Sequence, residues 1–125
     1  MLTEVLERCD AIEECYEFML AYAAQGLPSD ETSPRVREFL RRAASALHGL
    51  AESCRVAVKS SAFLAVLDRD ARDSLAALEL VLAQPAISSQ LIDNLNASIH
   101  LRALLTDLFL IGEILRTQAA LAPTA

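Results

Sequence analysis

At 125 residues the chain has the size of one domain, and 54% hydrophobic residues with 3 glycines, 4 prolines and no tryptophan exclude disorder and disfavour a turn-rich β architecture. A formal net charge of -6 argues against a nucleic-acid partner, because neutralising phosphates requires a basic surface. Three cysteines, Cys9, Cys15 and Cys54, show no Cys-x-x-Cys spacing and read as reduced thiols rather than a disulfide framework or zinc site.

The first predicted helix covers about residues 3–26, with Thr3 as N-cap, Glu4 and Glu7 in its opening turns, and Gly26-Leu27-Pro28 as its stop. Leu2, Val5, Cys9, Ile12, Tyr16, Met19, Leu20 and Ala23 recur at helical spacing and form its core stripe. Cys15, Phe18 and Tyr22 make a second ridge beside it. This ridge packs on a neighbouring helix or, left exposed, offers Phe18 and Tyr22 as anchors for a partner.

On the same helix Glu7, Asp10, Glu14 and Glu17 line a stripe roughly opposite the core, which reads as a solvated or partner-facing surface. The string Glu13-Glu14-Cys15-Tyr16-Glu17 resembles the EExxE half of the metal-binding signature in all-α nucleoside triphosphate pyrophosphatases of the MazG kind. That resemblance implies magnesium held by Glu13, Glu14 and Glu17 against substrate phosphates, since a hard cation takes oxygen ligands. The family also carries ExxD on a following helix, whereas the ExxD here, Glu7 to Asp10, lies upstream on the same helix.

Ser33-Pro34 opens a second predicted helix over about residues 34–58, with Val36, Phe39, Leu40, Ala43, Leu47, Leu50, Cys54 and Val58 as its core stripe. Its basic cluster of Arg35, Arg37, Arg41 and Arg42 is diluted by Glu38 and reads as a solvated face. After the polar break Lys59-Ser60-Ser61, a third helix is predicted over about residues 62–84, closed by Pro85 and striped by Leu64, Leu67, Ala71, Leu75, Leu78 and Leu82.

The fourth predicted helix, about residues 88–121, is apolar almost all round, ahead of a tail, residues 122–125, expected to fray. Leu91, Ile92, Leu95 and Ile99 share one side, Leu101, Leu104, Leu105, Leu108 and Leu115 lie nearly opposite, and Phe109, Leu110 and Ile114 fall elsewhere. A helix with two apolar faces is satisfied by a second subunit or by a kink near Ala97-Ser98. Asp93, Asn96, His100 and Asp107 form its polar stripe and read as its solvent edge; inside a dimer they would set pairing register.

These elements predict an all-α, antiparallel up-down-up-down four-helix bundle that dimerises, the alternative being a hairpin pair completed by a second chain. Cys9 and Cys54 are expected in one core layer, with Cys15 on a different face and more reactive if its ridge is exposed. No Glu-x-x-His, Gly-x-Ser-x-Gly or glycine-rich phosphate loop occurs, so no cofactor is expected. The acidic start MLTEVLERCD lacks a secretory signal, and Ile99 to Leu115 is interrupted by His100, Arg102, Asp107 and Glu113. Both point to a cytoplasmic protein without a membrane span. The functional expectation is a non-enzymatic interaction module, a homodimer whose interface includes Leu101, Leu105, Leu108 and Phe109. A magnesium-dependent pyrophosphatase is the alternative, and a bundle holding a small apolar ligand a third reading.

Overall fold

The computed structural model describes residues 2–121, and the tail expected to fray lies outside them. The described residues form six helices and no strand: α1 Leu2–Ala24, α2 Arg35–Leu47, α3 Leu50–Cys54, α4 Ser61–Leu82, α5 Ser89–Asn96 and α6 Ile99–Leu121. α1 packs against α2 on one flank and α5 on another, while α4 packs against α6, α2 and α3. None of these helices is long and apolar enough to cross a membrane.

The ends of α1 and α4 follow local chemistry. α1 stops before Gly26, whose φ of 66° is left-handed, a conformation open to glycine without the Cβ penalty. Thr3 lies within the first turn of α1 rather than ahead of it. α2 begins one residue later than expected, with Pro34 at the cap and no side-chain cap from Ser33. Ser60 and Ser88 cap α4 and α5, accepting from the backbone N–H groups of Phe63 at 3.2 Å and Leu91 at 3.0 Å.

Two of the four predicted helices are broken. The second stops at Leu47, because His48 is extended and Gly49 turns left-handed at φ 67°, after which α3 adds one short turn. Arg8 of α1 braces this corner, donating to the carbonyls of Ala46 at 3.0 Å and His48 at 2.7 Å, which the end of α2 leaves without intrahelical partners. The fourth predicted helix breaks at Ala97-Ser98, where the Ser98 hydroxyl accepts from the Leu101 N–H and starts α6 afresh.

That second break answers the puzzle of the two apolar faces. With the helix interrupted, Ile92 and Leu95 of α5 and Leu101, Leu104, Leu105, Leu108, Ile111 and Leu115 of α6 all turn into the same buried cluster. The core stripe of α1 is shifted as well. Cys15 and Tyr22 are buried while Leu2 and Leu20 are exposed, because α1 is covered on two flanks and its buried arc widens toward the second ridge.

The loops after α1 and α4 are laced together by polar contacts. The buried Tyr22 hydroxyl donates to the Ile87 carbonyl at 2.6 Å, and the Ser89 hydroxyl donates to the Tyr22 carbonyl at 2.7 Å and accepts from the Leu27 N–H at 2.8 Å. Arg37 donates to Asp30 at 2.6 Å and to the carbonyls of Leu82 and Gln84 at the end of α4, while Asp30 also accepts from the Ile87 N–H.

All three cysteines are buried free thiols. Burial pushes Cys9 up to about 12, aided by the neighbouring Cys54, and pushes Cys15 up to about 12 against the lowering charge of Arg42. The ridge of Cys15 packs inside the bundle, so the exposure on which a more reactive Cys15 depended is absent. A thiol probe at neutral pH is expected to modify no cysteine rapidly in the native protein and all three in denaturant, and rapid native labelling of Cys15 would contradict this burial.

Candidate functional site

The EExxE carboxylates are spread rather than convergent. Glu13 is half-buried, and burial, then the neighbouring Asp10, raises its carboxyl above the usual range while Arg116 opposes the shift. Glu14 is exposed and paired with Arg42 at 3.3 Å, and Glu17 is exposed. Among the described residues no group of three His, Cys, Asp or Glu side chains is placed to hold a metal ion.

The basic cluster of α2 is not a plain solvated face. Phe18 of α1 stacks on Phe39 of α2 with ring centroids 4.3 Å apart, and the Arg35 and Arg42 guanidinium groups sit over the Phe39 ring at 5.4 and 5.6 Å. Both expected anchors of the second ridge are therefore engaged internally: Tyr22 is fully buried, and Phe18 is half-buried in this stack.

The polar stripe does not survive as one solvent edge, because the break at Ala97-Ser98 divides it. Asp93 is exposed on α5, whereas Asn96 at its end is buried, with neither side-chain amide atom hydrogen-bonded within the described residues. On α6 the exposed His100 lies 3.9 Å from Asp73 of α4, and its carbonyl accepts from the buried Ser74 hydroxyl at 3.0 Å. Asp107 is buried against α4, where desolvation and then the adjacent Asp70 carboxyl push it up to about 7. A signal for this pair was present in the sequence, an aspartate amid leucines, but its partner lies far back in the chain on another helix.

The expected partner surface on the last helix is corrected by the same break. Leu101, Leu105 and Leu108 are 2%, 4% and 0% exposed and belong to the chain's own core, so a charge at Leu108 would unfold the protein rather than separate one subunit from another. Phe109 alone of the four points outward, at 58% exposure, joined by Leu110 at 51%, Ile114 at 52% and Ile99 at 76%. Beside this outer face lies a groove of about 260 Å³ whose apolar walls come from Ala57, Val58, Phe63, Leu110, Ile111 and Ile114. Lys59, Ser60 and Gln118 are its polar members. Several large apolar side chains gathered on one exposed helix face form a patch of the kind that binds another macromolecule.

No protein-family model, curated protein or solved structure matches this chain, so its outer surfaces are the ground on which its function is read.

Proposed function

We propose that the protein is a non-enzymatic helical interaction module that works as a cytoplasmic homodimer, docking through the outer face of α6. The six helices serve as four arms of an antiparallel bundle, with α2 and α3 forming one arm and α5 and α6 another. One observation carries this reading: Phe109, Leu110 and Ile114 stand half exposed together on α6, next to an apolar groove lined on its α4 side by Phe63. Burying such a patch removes apolar surface from water, worth about 25 cal/mol per Å² before the costs of association. The buried Leu101, Leu105 and Leu108 support the surface from behind and are not its contacts.

Sedimentation of the wild-type protein across a concentration series tests the proposal. A dimer is expected in the micromolar range, and Phe109→Glu is expected to shift it to monomer while leaving the helical circular-dichroism signal intact, since the side chain is 58% exposed. A wild-type protein that stays monomeric at every concentration would sink the homodimer.

A further inference from the structure

The outer face of α6 carries charge in a self-complementary order. Arg102 near its start and Glu113 past its midpoint are both exposed, and neither forms an ion pair among the described residues. Eleven residues at ~100° each bring the two side chains to within about 20° around the helix, and ~1.5 Å of rise per residue sets them about 16 Å apart along it. Phe109 lies on the same line between them. An apolar side chain is thus flanked by one positive and one negative charge, with no partner for either among the described residues.

We infer that the surface covering this face is α6 of a second copy, running antiparallel about a two-fold axis that crosses the helix between residues 107 and 108. This deepens the homodimer reading above and rests on it, with Phe109 at the centre of the contact and Leu110 and Ile114, about 80° and 120° around the helix from Arg102, on its flank toward the groove. In that register Arg102 of each copy faces Glu113 of the other, and Phe109 of each faces Thr106 of the other, so every contact occurs twice, as an isologous interface requires. A parallel pairing of the same faces would place Arg102 against Arg102 and Glu113 against Glu113, a repulsive arrangement at both ends.

Charge reversal tests the register by sedimentation at low ionic strength. Arg102→Glu alone, and Glu113→Arg alone, are each expected to weaken self-association by about tenfold, because two attractive contacts per dimer become repulsive. The double variant R102E/E113R exchanges both signs and is expected to return to the wild-type dissociation constant within about threefold. Recovery in the double variant cannot come from a general loss of stability in the singles. A wild-type dimer that ignores both single reversals, or a double variant as weak as the singles, would overturn the antiparallel register while leaving the dimer standing. A wild-type monomer under all conditions would remove the homodimer and this register together.

Discussion

Replacing Arg37 with alanine is expected to lower the unfolding free energy by roughly 2–3 kcal/mol, less than breaking a fully buried ion pair because both side chains keep some contact with water. The guanidinium holds three elements at once. It donates to Asp30 at 2.6 Å in the loop after α1, and to the carbonyls of Leu82 at 3.1 Å and Gln84 at 2.9 Å, which the end of α4 leaves without helical partners. Arg37 and Asp30 side chains are 20% and 13% exposed, so water replaces little of what the truncation removes. Asp30 would remain with one N–H donor from Ile87 and no counter-ion. Arg37→Lys is expected to recover only part of the loss, because an ammonium lacks the planar fork that reaches a carboxylate and two carbonyls together.

The same pair shapes acid stability. Hydrogen bonding from Arg37, then from the Ile87 N–H, holds Asp30 below the usual carboxylate range. A carboxyl depressed in the folded state contributes stability that is present above its unfolded pKa and is lost as pH falls through the folded value. In R37A the larger part of that contribution is lost and only the Ile87 N–H bond remains, so its acid unfolding is expected to begin at higher pH than in wild type. Urea titrations of the two proteins check both points, and a loss below about 1 kcal/mol would show the Arg37 contacts to be dispensable.

A second large effect is expected at Asp107, with the opposite sign. Its carboxyl is raised to about 7 by burial and by Asp70, so it folds into place protonated and resists ionisation. A group whose folded pKa lies above its unfolded value contributes stability below the unfolded pKa, and that contribution is lost as pH rises through the folded one. Wild-type stability is therefore expected to decline from about pH 4 to about pH 7, the interval between the ordinary carboxyl value and the folded one, as a second charge is forced beside Asp70 in the α4–α6 interface. Asp107→Asn cannot ionise and can donate its amide N–H to Asp70. It is expected to be the more stable protein at about pH 8 by on the order of 1–3 kcal/mol, and to lose the pH dependence. Wild-type stability that stays flat across this interval would contradict the assignment.

Much of the local structure was legible in the residues themselves. Helical periodicity and composition place long helices in the chain, and Gly26-Leu27-Pro28, Lys59-Ser60-Ser61 and Pro85 mark their limits, because capping and helix-stopping are properties of a few neighbouring residues. The carboxylate string on α1 was equally visible, but a five-residue match says nothing of whether its side chains meet. The aspartate at position 107 could be seen as an anomaly among leucines, yet its consequence needed Asp70 brought against it from another helix.

Residue order is enough to dictate the helical character of the chain, most core positions of the second and third predicted helices, and the polar breaks between residues 24 and 35, 54 and 61, and 82 and 89. Which side of the last helix meets solvent was settled by packing. A helical wheel assumes one unbroken phase, so a break at Ala97-Ser98 resets the direction of every later side chain and folds Leu101, Leu105 and Leu108 inward, leaving Phe109 outside. Packing also created the network at Arg37, since its carbonyl partners lie 45 and 47 residues along the chain and no local pattern encodes contacts made only after the helices come together.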